Sequence, residues 1–99
     1  MIRGTTPTLK YNLPFEVSSI DKLWIVFSQN EEERLFLDKS RCSLSGNTIT
    51  VKLTQEETLS LLPNCIVNIQ IRLLTNDGCA LASKVMMGTV CDVSKGGVI

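Results

Sequence analysis

The chain has 99 residues, 43% of them hydrophobic and 20% charged, which is enough for one folded domain and too few for two. Ten basic residues balance ten acidic ones and are scattered singly, so the cationic surplus that a phosphate backbone requires is missing. No stretch reaches the length of a membrane span, and no apolar leader core follows Met1-Ile2-Arg3. The expectation is a single domain, residues 1–99, made and kept inside the cell, with neither nucleic acid nor membrane as a partner.

Taken in chain order, strand patterns dominate. Thr8–Leu13 is bracketed by Pro7 and Pro14, which suits an edge strand or one that switches sheets, because proline cannot donate to a central ladder. Lys22–Ser28 contains Leu23-Trp24-Ile25-Val26-Phe27, apolar on both faces. Such a strand is either central and covered on both sides, or an inner strand with Trp24 partly exposed. Large apolar residues on an outward face call for a covering partner. Trp24, Val26 and, from the next strand, Phe36 are therefore the expected interaction surface. Between these strands Glu31, Glu32 and Glu33 could hold a cation or act as paired carboxylates. After Gln29-Asn30 and before Arg34, the run reads as a solvated loop.

Arg34–Asp38, Arg41–Leu44 and Thr48–Leu53 continue the pattern. Gly46-Asn47 fits a two-residue type II′ loop, which sets Leu44 opposite Ile49 and Cys42 opposite Val51 on an inward row. Thr54-Gln55-Glu56-Glu57 has the form of a capping box opening a short helix. Leu59, Leu61 and Leu62 would pack down from it, and Pro63-Asn64 would stop it.

Cys65–Leu74 alternates along most of its length, with Val67, Ile69, Ile71 and Leu73 on one face and Asn68, Gln70 and Arg72 on the other. Thr75-Asn76-Asp77-Gly78 then predicts a three-residue hairpin loop with Gly78 left-handed. Pairing Thr75 with Cys79 sets Leu73 opposite Leu81, Ile69 opposite Val85 and Val67 opposite Met87. A one-residue slip would bring Lys84 onto the apolar row. The last strand pattern runs from Cys79 to Val90, and both ends of the chain read as mobile.

Chemistry is hard to place on these residues. There is no histidine, and neither GxGxxG nor GxxxxGK[ST] occurs. In a reducing compartment Cys42, Cys65, Cys79 and Cys91 read as free buried thiols rather than two disulfides, and no CxxC spacing suggests zinc. No enzyme activity, catalytic residue, cofactor or metal is expected. The fold class is all-β, an antiparallel two-sheet sandwich of about seven strands with one short helix.

Met1-Ile2-Arg3-Gly4-Thr5-Thr6-Pro7-Thr8, Leu13-Pro14-Phe15, Leu53-Thr54-Gln55-Glu56-Glu57-Thr58 and Asn76-Asp77-Gly78-Cys79-Ala80-Leu81-Ala82-Ser83 resemble, in this order, small uncharacterised phage and prophage proteins of Firmicutes. A weaker likeness reaches the Ig-like N-terminal domains of phage baseplate proteins. There a strand, a short Thr-x-Glu-Glu helix and a strand ending in an Asp-Gly hairpin succeed one another. The resemblance implies an Ig-like sandwich and a non-enzymatic structural or assembly role of tail or baseplate type. It implies other virion or phage-encoded proteins, or further copies of the chain, as partners, and a place in the host cytoplasm or the virion. The alternative is a phage-encoded soluble regulator or inhibitor that binds a host protein.

Overall fold

Every strand pattern in the sequence becomes a strand in the computed structural model, which describes residues 1–99, although the last pattern is cut in two. In chain order the elements are β1 (Thr8–Asn12), β2 (Ile20–Gln29), β3 (Glu32–Asp38), β4 (Ser43–Ser45), β5 (Thr48–Lys52), the helix α1 (Gln55–Leu59), β6 (Cys65–Thr75), β7 (Ala80–Ala82) and β8 (Met86–Val90). They form two antiparallel sheets. One has the order β1-β5-β4; the other has the order β3-β2-β6, with β7 and β8 both pairing with β6. The chain crosses between sheets three times: after β1, after β3 and after β5.

The alternation of β2 and β6 explains the core. Leu23, Ile25 and Phe27 share the inner face of the large sheet with Leu37, Val67, Ile71 and Leu73, and they meet Ile49 and Val51 of β5 from the small sheet. This is the arrangement of a β-sandwich, in which each sheet turns its apolar face to the other. Strand β1 pairs only with β5, so the proline-bracketed strand does lie at an edge.

The turns show where local chemistry decided the register. Leu44 stands opposite Ile49, and only Gly46 of the Gly46-Asn47 pair has positive φ (59°), the type II′ pattern. The ladder starts at Ser43, however. Cys42 follows a 3-10 turn at Lys39–Arg41 instead of pairing with Val51, and it lies half-buried against the core.

At the other hairpin, Thr75 and Cys79 close a loop with Gly78 at φ 88°, and Leu73 faces Leu81. Beyond Ala82 the expected register fails by one residue: Ile69 faces Met86 instead of Val85, and Val67 faces Gly88 instead of Met87. Ser83 is the cause. Its N–H donates to the Ile71 carbonyl (2.8 Å) and its Oγ accepts from the Ile71 N–H (3.0 Å), so the side chain replaces a backbone acceptor. One residue is thereby absorbed as a bulge, and Lys84, Val85 and Met87 all turn outward.

The acidic run is not a loose loop either. Gln29 pairs with Glu32, leaving Asn30-Glu31 as a two-residue turn with positive φ at both positions (52° and 64°), the type I′ pattern. The three glutamates are exposed, as a solvated segment requires, whereas Gln29 is buried.

Helix α1 is capped as the sequence indicates. The Thr54 hydroxyl accepts from the Glu57 N–H (3.2 Å), and the Glu57 carboxylate accepts from the Thr54 N–H (2.8 Å). Leu61 is buried behind it, and Asn64 ends the segment in the left-handed region at φ 58°. Arg41 donates to both carboxylate oxygens of Glu57, at 2.5 and 2.8 Å, and to the Lys52 carbonyl. The Arg41 hydrogen bonds hold the Glu57 carboxyl below its ordinary range, with the Thr54 N–H adding to the effect.

A carboxyl depressed in the folded state binds fewer protons there than in the unfolded chain. Its stabilisation is therefore present above the ordinary Glu pKa of about 4.3 and is lost as pH falls through the folded value. Glu57→Gln should lower the denaturation midpoint at pH 7 and flatten its fall below pH ~4.3. Identical acid limbs for the two chains would show that this carboxylate is not a determinant of acid stability.

Two further expectations are corrected. The ends are tied rather than loose: Ile2 makes a parallel bridge to Cys91, Arg3 pairs with Asp92 at 2.7 Å, and the Gln55 amide exchanges two hydrogen bonds with the Ile99 backbone. All four cysteines are free, but only Cys42 and Cys65 are partly buried. Cys79, beside the hairpin glycine, and Cys91, past the end of β8, are exposed. No helix is long and apolar enough to cross a membrane.

Candidate interaction face

The outer face of the large sheet follows directly from its registers. Val26 faces Phe36 on one side and Gln70 on the other. Trp24 faces Asp38 and Arg72; Ser28 faces Glu33 and Asn68; and Asn68 faces Met87. Successive strand residues alternate between faces, so every member of these rows points away from the core. Trp24, Val26 and Phe36, the three residues singled out in the sequence, are thus neighbours on one surface.

Their side chains meet as well. The Trp24 and Phe36 rings pack edge-to-face with centroids 5.7 Å apart, and the Arg72 guanidinium lies 5.4 Å from the Trp24 ring centroid. Both contacts are favourable for aromatic quadrupoles, but they do not remove the rings from water. Trp24 is 44% exposed and Phe36 43% exposed. Together with Val26, Gln70 and Val85 they line a shallow groove of about 500 Å³, with Glu33 and Arg72 on its rim.

Three more large apolar residues stand exposed on this side of the molecule, and the sequence reading did not anticipate them. Ile66 and Met87 belong to the outward rows of β6 and β8, and Val85 is placed there by the Ser83 bulge. Ile66 could have been found from the alternation of β6, since it shares parity with Asn68, Gln70 and Arg72. Val85 and Met87 could not, because their orientation depends on the bulge.

The face is chemically quiet. Its charged members are Glu33 and Arg72 and, toward the margins, Lys22, Asp38 and Lys84. Hydrogen bonds from the Ser40 hydroxyl and backbone N–H lower the Asp38 carboxyl pKa. No group of three or more His, Cys, Asp or Glu side chains is gathered anywhere as a metal site would require. The arrangement offers apolar area, two rings and one charge of each sign at the groove, which are the ingredients of a protein contact. Comparison with protein-family models, with curated proteins and with solved structures finds no match.

Proposed function

We propose that this chain is a non-enzymatic phage or prophage accessory protein of tail or baseplate type, acting in structure or assembly by protein–protein contact. The observation that carries the contact reading is the outer face of the large sheet, where Trp24, Phe36, Ile66, Val85 and Met87 are all exposed. A chain this small gains nothing for folding from apolar side chains left in water, and such patches mark interaction sites. The phage setting comes from the sequence resemblance, and an Ig-like assignment within the β-sandwich class belongs to the same proposal. It is supported by stacked antiparallel sheets between which the chain repeatedly crosses.

Mass spectrometry of purified particles from the producing strain tests the role. The chain is expected among the structural proteins in reproducible stoichiometry, and Trp24→Ala should deplete it. Absence from particles and from their assembly intermediates, with recovery on a host protein instead, would replace this reading by that of a soluble regulator or inhibitor.

A further inference from the structure

The outer face of the large sheet is self-complementary about Val26. Arg72 lies one strand away from Val26 on β6 and two residues toward one end. Glu33 lies one strand away on the opposite side, on β3, at the level of Ser28 toward the other end. The two opposite charges are therefore diametrically placed around an apolar centre. Two copies meeting face to face are related by a two-fold axis lying in the plane between them, with the same patch used by both.

An axis through Val26 and perpendicular to the Glu33–Arg72 line brings Arg72 of each copy over Glu33 of the other. The same operation carries Trp24 onto the neighbourhood of Phe36 and returns Val26 to itself. Strand spacings of about 3.3 Å along and 4.8 Å across then make the two sheets cross steeply, close to the orthogonal class of sheet packing.

We propose that this face pairs with a second copy of the same chain, in a two-fold dimer sealed by Trp24–Phe36 contacts and a reciprocal Arg72–Glu33 pair. The proposal rests on reading the face as a contact surface and names its occupant. The molecule measures 46 × 27 × 17 Å, so a broad face can supply the roughly 800 Å² per partner of a standard interface. Asp38, beyond Trp24, falls near its own copy across the axis. Its carboxylate is occupied by Ser40 and stays at the wet margin, where solvent screens the repulsion.

Analytical ultracentrifugation of the full chain tests the pairing. The unmodified protein should show a reversible monomer–dimer equilibrium. Arg72→Glu leaves two acids on the patch and Glu33→Arg leaves two bases, so each variant should dimerise about tenfold more weakly or worse. Mixing the two variants restores opposite charges at both contacts and should give a one-to-one heterodimer.

Both substitutions lie on exposed positions, and circular dichroism establishes that each variant is folded. The proposal is overturned by an unmodified chain that stays monomeric, by a dimer indifferent to both substitutions, or by variants that do not pair on mixing. A monomeric chain that Trp24→Ala nevertheless removes from particles would refute the dimer alone. Particle incorporation unaffected by Trp24→Ala would refute the contact reading itself.

Discussion

Gln29→Ala should destabilise the protein by about 3 kcal/mol, more than is usual for a polar residue near a turn. Gln29 ends β2 on its inner face at 1% exposure, level with the core hydrophobics. Its Nε2 donates to the Leu62 carbonyl at 2.9 Å, and its Oε1 accepts from the Leu62 N–H at 2.7 Å. One side chain thus serves both backbone groups of a residue between α1 and β6 that belongs to no ladder. Truncation leaves a donor and an acceptor shielded from water, at about 1–3 kcal/mol for each unsatisfied group, besides the lost packing. The melting temperature should fall by about 10–20 °C.

Gln29→Glu separates the amide's chemistry from its bulk. A carboxylate of the same shape cannot donate to the Leu62 carbonyl, and burial opposes its charge. Its folded pKa therefore lies above the ordinary Glu value, so the folded state holds the proton longer than the unfolded chain does. The penalty relative to the parent should be small below pH ~4.3 and should grow as pH rises through the folded pKa. Subtracting the parent's own pH profile removes the contribution of Glu57. Denaturant midpoints for Gln29→Glu that match the parent at neutral pH would mean the clamp is unimportant.

Why the sequence hid this residue is a physical matter. Alternation along Leu23, Ile25 and Phe27 does place position 29 on the inner face. A polar side chain at that parity reads as the strand leaving the core, because its partner lies 33 residues away. Burial of Gln29 becomes intelligible only once Leu62, between α1 and β6, is known to lack backbone partners. Thr58 is a similar case, fully buried with its hydroxyl donating to the Thr5 carbonyl at 2.9 Å.

Features resolved locally were legible: the Thr54–Glu57 box, the Gly46 turn, the Gly78 loop, and the first pairs of each hairpin, set within a few residues of a turn. Errors entered where a side-chain acceptor or an unannounced turn intervened. Ser83 displaced Val85 and Met87, and Asn30-Glu31 formed a type I′ turn without the glycine that normally announces one. The candidate face was legible at Trp24, Val26 and Phe36, because an apolar run on both faces of a strand betrays itself in one dimension. The placing of Glu33 and Arg72 on either side of Val26 required registers across three strands.

Adjacent positions on β2 supply the sharpest separation of folding from contact. Ile25 is fully buried, opposite Leu37 on β3 and Ile71 on β6, in the layer that faces β5. Ile25→Ala deletes apolar volume that this layer cannot easily refill, and about 3 kcal/mol of stability should go with it. Trp24, one residue earlier, points the other way and is 44% exposed. Trp24→Ala gives up an edge-to-face ring pair and a cation–π contact, so its cost at a fixed protein concentration should stay near 1 kcal/mol.

The functional order should be reversed. Trp24→Ala should abolish self-association and particle incorporation while remaining folded. The fraction of Ile25→Ala that stays folded should still associate, since its outer face is intact. Denaturant midpoints measured beside sedimentation profiles decide the matter. If Trp24→Ala unfolds the chain as severely as Ile25→Ala, the indole is part of the fold's support and the outer face loses its claim as a contact surface. If it leaves both midpoint and association unchanged, the ring is idle. A large loss of association at small cost in stability is what an interaction face requires, because such a face holds its side chains ready in water for a partner to cover.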